Sequence, residues 1–192
     1  MWKGLSMSPW RNKFFSAIVL VVLLWGCGAA DYSAIKVIYV YDGDTIKLAD
    51  GEKVRLIGID CPEEWESDKL FRDAKRSHQR VEDIKKQGEA AAQFTRSLVL
   101  GKKVRLEFDE ERRDQYGRLL AYVYEIEPLA DEQKKILEGD AVMTGGDIFV
   151  NATLLKSGWA RSYKFPPNTR FADWFQQLNQ EAKEQRRGLW QN

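Results

Sequence analysis

Two apolar strands that end in acids constrain this chain more than any other stretch. Residues 36–41 are rich in β-branched and aromatic side chains and read as a strand. In Tyr41-Asp42-Gly43-Asp44-Thr45 the Asp-Gly step is a bulge or turn signal, so the strand bends there and resumes over 45–48. A tight turn at 49–52 leads into a return strand over 53–59, and Pro62 ends the block Val54-Arg55-Leu56-Ile57-Gly58-Ile59-Asp60-Cys61-Pro62-Glu63. If these strands lie side by side, Asp44, Arg55, Asp60 and Glu63 face one pocket.

The stretch 64–87 is mostly charged and suits either a solvated helix or a mobile loop; a surface excursion is its ordinary reading. The next helix runs over 88–100, with Ala90, Phe94 and Leu98 as its inward stripe and Gly101 as its stop. Val104, Leu106 and Phe108 alternate with charges in a half-buried strand. Asp114-Gln115-Tyr116-Gly117-Arg118 is a turn feeding a strand over 119–126. A polar connection over 127–147 suggests an extended hairpin, and 148–150 a short strand. Asn151 is placed to cap a short helix that Gly158 stops. The last helix covers about 169–187, with Phe171, Trp174, Phe175, Leu178 and Ala182 on its core face. Five main strands with a helix between the third and fourth make an α+β chain, a five-stranded OB-type barrel with three helices.

Length and charge narrow the chemistry. A chain of 192 residues supports one domain with an appendage. Its 30 basic and 29 acidic residues exclude a tail-like binder that relies on a large positive excess. The single histidine, His78, leaves no pair for a histidine-rich zinc site or paired-histidine catalysis, and its place in a charged, flexible-looking stretch argues against a Ser-His-Asp triad, which needs a positioned imidazole. Hydrolysis in this chain must use carboxylates, arginines and a hard cation.

Residues 1–30 read as a targeting segment and tether, with 31–192 as the folded domain. Lys3, Arg11 and Lys13 precede an apolar run from Phe14 to Trp25, which is short for a membrane span. Leu24-Trp25-Gly26-Cys27 resembles a bacterial lipoprotein box, which implies lipidation at Cys27. An ordinary cleaved signal or an uncleaved anchor are the alternatives. Each places the protein outside the cytoplasm, in the periplasm or cell envelope or secreted. Removing residues 1–26 shifts the net charge from +1 to about −2.

The two opening blocks, together with Asp114-Gln115-Tyr116-Gly117-Arg118-Leu119-Leu120-Ala121-Tyr122, resemble the signature blocks of the thermonuclease (staphylococcal nuclease-like) family. Gly158-Trp159-Ala160 and Arg187-Gly188-Leu189-Trp190 resemble its C-terminal part, so the likeness runs in consistent order over about 35–190. It implies an OB barrel with three helices and calcium-dependent hydrolysis of DNA and RNA to 3′-phosphates by a monomer. It implies Asp44 and Asp60 as Ca2+ carboxylates and Cys61 as a backbone-carbonyl ligand. Glu63 matches the general base, Arg55 and Arg118 the phosphate-binding arginines, and Tyr116 and Tyr163 substrate contacts. Cys61 stands where the best-known member has threonine, and Phe165 where a second tyrosine is expected. Residues 64–87 and 127–147 are longer than the minimal pattern.

The residues also support this chemistry without the resemblance. A phosphodiester repels anionic nucleophiles, so its hydrolysis needs an activated water and neutralised nonbridging oxygens. Arginine forks and a hard cation on carboxylates supply that neutralisation. Each piece has a structural alternative: Asp42-Gly43-Asp44 as a turn, Arg55 as a partner of Asp44 or Asp60, Tyr116-Gly117-Arg118 as hairpin chemistry. A non-catalytic OB-fold module binding nucleic acid or protein is the competing function.

Overall fold

The computed structural model describes residues 30–63, 67–127 and 139–191. The expected signal segment and Cys27 lie outside these residues. Among the described residues, no helix is long and apolar enough to cross a membrane.

Strand β1 (Ile35–Asp42) pairs antiparallel with β2 (Thr45–Leu48), and β2 with β3 (Lys53–Leu56). Two register shifts interrupt the β1–β2 ladder, one of them between Val40 and Asp42, where the Asp-Gly step predicts a bend. The return strand stops earlier than expected. Gly58 takes φ +80°, and a Cβ there would lie 2.6 Å from the Phe175 ring. The chain therefore turns at Gly58 and leaves the barrel as a separate short strand, β4 (Ile59–Asp60). Two helices follow, α1 (Asp68–Ser77) and α2 (Val81–Val99). Next come β5 (Lys103–Glu107) and β6 (Leu119–Glu125), which pair antiparallel.

β5 also joins β1, and β6 runs parallel to β3 with Arg55 opposite Leu120. The five strands therefore close on themselves in the order β3-β2-β1-β5-β6. This is the OB-type barrel expected, and it removes the open edges that a flat sheet would leave. β6 is buried along its whole length. A short hairpin, β7 (Met143–Thr144) and β8 (Asp147–Phe149), extends the sheet beside β6. Gly145 and Gly146 form its turn at positive φ. The rest of the long 127–147 connection, over 128–138, lies outside the described residues.

Helix α3 (Val150–Lys156) follows β8 directly, so Val150 opens a helix instead of ending a strand. The expected cap at Asn151 is not made. Asn151 is buried, and its side chain accepts from the Val123 N–H at 2.9 Å and donates to the Ile57 carbonyl at 2.9 Å. It thus satisfies two backbone groups where β6 passes the bend after β3, a stronger demand in the dry interior than a helix end. The short strand β9 (Arg161–Ser162) pairs with β4, and helix α4 (Ala172–Glu184) buries Phe175, Leu178 and Ala182. Phe175 packs edge-on to Tyr122 at 6.2 Å and near Phe149 at 5.7 Å. A final 3-10 turn at Gly188–Trp190 folds back so that Leu189 N–H reaches the Gly158 carbonyl.

Four α-helices stand among the described residues where three were expected. The addition is α1, from the charged stretch left open between helix and loop. α2 also starts seven residues earlier than its apolar pattern suggests, and its inward face is shifted. Gly88, Ala91, Ala92, Thr95, Leu98 and Val99 are buried, whereas Ala90 and Phe94 are only half-buried. Small residues face inward because α2 lies against the bulge at Gly43: a Cβ on Gly43 would meet Ala91 Cβ at 3.1 Å.

Candidate active site

The bend in β1–β2 positions the first acid. Thr95 donates its hydroxyl to the Gly43 carbonyl at 2.8 Å, fixing the bulge to α2. A side chain on Gly43 would also lie 2.6 Å from Cys61 Sγ, so the bulge is pressed between Cys61 and Ala91. Asp44 emerges from it buried. Its Oδ2 accepts from the Cys61 backbone N–H at 2.7 Å, and its Oδ1 from the Thr45 hydroxyl at 3.2 Å. Asp42 accepts from the Asp44 N–H at 3.0 Å, an Asx turn that sets the angle at which Asp44 leaves the strand.

Arg55, in β3 opposite Thr45, enters the same space. Its side chain is only 14% exposed; Nη1 forms an ion pair with Asp44, outside hydrogen-bond alignment, and Nη2 donates to Asp60 Oδ1 at 3.1 Å. The structural alternative for Arg55, pairing with either acid, is therefore present with both acids at once. The early exit at Gly58 brings Asp60 here: β4 pairs with β9, and the Tyr163 N–H donates to the Gly58 carbonyl at 2.9 Å. That bond draws Tyr163 to the same rim.

Arg118 comes from the opposite wall. Gly117 takes φ +78° in the preceding turn, and Asp114 organises it. One Asp114 oxygen accepts from the Tyr116 and Arg118 N–H groups, at 2.9 and 3.0 Å. The other accepts from Arg118 Nε at 2.7 Å. Arg113 ties this turn to the β2–β3 hairpin, with two parallel bonds to Glu52 at 2.9 and 2.8 Å and one to the Gly117 carbonyl at 2.7 Å. The Arg113 guanidinium holds the Glu52 carboxyl below its ordinary range.

These residues surround one cavity of about 430 Å³. Asp42, Asp44, Arg55, Asp60, Glu63, Arg118, Tyr163 and Phe165 all line it. Cys61 does not; it is a buried thiol beneath the floor that contributes its N–H to Asp44. Tyr116 stands outside the lining, 75% exposed, with its ring 5.6 Å from the Arg118 guanidinium. Three contributors were not found from the sequence. Thr95 gave only a weak signal, a polar residue within a small-residue face. Arg72 and Arg76 of α1 also line the cavity. Their i, i+4 spacing was legible, but the direction in which that helix faces was not.

Asp44 and Asp60 converge on one point, occupied by the Arg55 guanidinium. Two carboxylates supply the hard oxygen donors that a calcium-like cation prefers, with carbonyl groups and water completing its shell. Among the described residues, no three His, Cys, Asp or Glu side chains form a cluster able to hold an ion unaided. The donor set therefore fits a cation that keeps several waters, not an all-protein cage.

The structure is thus a closed five-stranded OB-type barrel whose acids and arginines share one cavity. Comparison with known sequences narrows the class. Residues 53–192 match the family described as staphylococcal nuclease homologue. The chain is 32% identical over 155 residues to a thermonuclease of Staphylococcus intermedius, spanning 79% of this chain and 73% of that one. It is 30% identical over 170 residues to a thermonuclease of Staphylococcus hyicus, spanning 87% and 81%. Endonuclease YncB of Bacillus subtilis (strain 168) is 37% identical over 154 residues, which cover 78% of this chain and 57% of that relative. The chain belongs to the staphylococcal nuclease homologue family.

Proposed function

We propose that this protein is an exported, calcium-dependent nuclease that hydrolyses DNA and RNA to 3′-phosphate products. The observation that carries the reading is the convergence of Glu63, Arg55, Arg118, Asp44 and Asp60 on one cavity. Glu63 takes a proton from the attacking water as it closes on phosphorus. Arg55 and Arg118 donate paired N–H groups to the nonbridging oxygens as charge builds there. The bond to the 5′-oxygen breaks and that oxygen takes a proton from solvent water, leaving a 3′-phosphate and a 5′-hydroxyl. Asp44, Asp60 and the Cys61 carbonyl would hold the calcium ion, which when bound would supply further charge neutralisation and order water. Glu63 is a modest base, so the arginines and the cation account for most of the rate. Tyr163 and Tyr116 present rings on which bases stack.

Cys27 carries a lipid in this reading and holds a monomer at the cell envelope; metabolic labelling with palmitate and its loss in Cys27→Ala test the anchor. For the chemistry, purified protein is assayed on labelled DNA and RNA with calcium and with chelator, and the product ends are identified. Calcium-dependent 3′-phosphate products are expected; folded, calcium-loaded protein that leaves both substrates intact ends the proposal. The bridging of Arg55 between Asp44 and Asp60 is the one observation that favours a non-catalytic binding module. Such a module binds oligonucleotide equally well with chelator and never yields product.

A further inference from the structure

The cavity holds more arginines than one phosphate can use. A phosphodiester has two nonbridging oxygens, and two arginine forks with a cation saturate them. Arg55 and Arg118 are those forks, yet Arg72 and Arg76 line the same cavity from α1.

The placement of these two arginines follows from how α1 is fixed. Ser67 caps the helix by accepting from the Leu70 N–H at 3.1 Å. Leu70 is fully buried, and Ala74, one turn on, is half-buried. These two residues anchor one face, and α1 packs against α2. Arg72 and Arg76 fall on another face at i, i+4, both exposed. Their backbones are about 6 Å apart along the axis at ~1.5 Å per residue, on the order of one nucleotide step in an extended strand. Among the described residues, Arg72 forms no ion pair or hydrogen bond. An ordinary solvated face would scatter its charges; here Lys75 and Phe71 are also exposed but line no part of the cavity, whereas both arginines do.

We propose that α1 is a second phosphate-binding wall, on which Arg72 and Arg76 hold the phosphate next to the scissile one in a single-stranded polynucleotide. This rests on the nuclease reading above and deepens it. The preferred substrate is a chain with at least two consecutive phosphodiesters, drawn across the cavity by electrostatic attraction to α1. Arg72 and Arg76 are positioning residues that set chain preference; they do not act on the bond that breaks.

The test compares two substrates in the full-length protein with calcium. One is a single-stranded oligothymidylate; the other is thymidine 5′-(4-nitrophenyl phosphate), a diester with one phosphate and no neighbour. In R72A/R76A the loss of kcat/KM on the oligonucleotide is expected to exceed the loss on the small diester by about 10-fold or more, chiefly through KM. The salt dependence of kcat/KM on the oligonucleotide becomes shallower by about 0.7 in log–log slope per phosphate contact removed. R72K/R76K retains most of the slope. Equal losses on the two substrates, or an unchanged preference and slope, overturn the proposal while leaving the nuclease reading intact. Wild-type protein that cleaves neither substrate overturns both.

Discussion

Arg55 and Arg118 bring the same guanidinium to the same cavity, yet the two walls hold it in different ways. Arg55 is 14% exposed and spans two carboxylates, one from the β1–β2 bend and one from β4. Arg118 is 29% exposed and is braced only at Nε, by Asp114 four residues earlier in its own turn. Among the described residues, its two Nη groups have no protein partner and remain open to a ligand. Arg55 therefore joins the wall itself together, while Arg118 is a tool mounted on a wall that is already complete. Removing the first should damage structure and reaction alike; removing the second should damage the reaction alone.

The largest expected effect comes from Arg55→Ala. It leaves Asp44 buried beside Asp60 without its cation, which should lower stability by about 3–5 kcal/mol. Because calcium takes the same two carboxylates in our reading, calcium should raise the melting temperature of this variant more than that of wild type. An unchanged melting temperature in chelator would erase the distinction between the walls. Arg118→Ala should lower kcat by about 10²–10³-fold while its melting curve overlays wild type. Gly43→Ala pushes a methyl into Cys61 and Ala91, costing about 1–3 kcal/mol, and turnover should fall as Asp44 shifts. Adding Cys61→Ala should recover part of both losses, and strict additivity in the double variant would mean that the bulge is not clamped as described. Thr95→Val should cost about 1–2 kcal/mol by orphaning the buried Gly43 carbonyl.

The smallest effect lies at the far end of β6. Glu125 is fully buried near Lys102, and burial raises its carboxyl above the ordinary value of 4.5. The folded state thus holds a proton that the unfolded state has already released. Stability from this group is present below about 4.5 and falls as pH rises through the raised value. Glu125→Gln should flatten that slope in pH-dependent melts and leave nuclease activity untouched.

The same contrast explains what the sequence made legible. Asp44, Arg55, Asp60 and Glu63 lie in or beside short, strongly patterned strands, and the cavity unites them. The barrel was readable because five short apolar or alternating runs, separated by turn signals, admit few closures. Other features depended on contacts far along the chain. The break at Gly58 depends on Phe175, 117 positions later. The burial of Asn151 reflects backbone groups on β6 and after β3, not any local need for a cap. α1 remained ambiguous because a charged segment has no periodicity strong enough to say which face turns inward; Leu70, with Ala74 one turn on, decides it.

The parallel seam between β3 and β6 has a consequence for timing. Arg55 lies opposite Leu120, two residues from Arg118, but the chain between them includes β4, both helices and β5. Pairings of such long range are slow to form, because loop-closure entropy must be overcome before they bring any reward. A polypeptide still emerging from the ribosome therefore carries Arg55 and Arg118 on unconnected lengths of chain. The two walls of the cavity therefore face each other only once this seam of the barrel has closed.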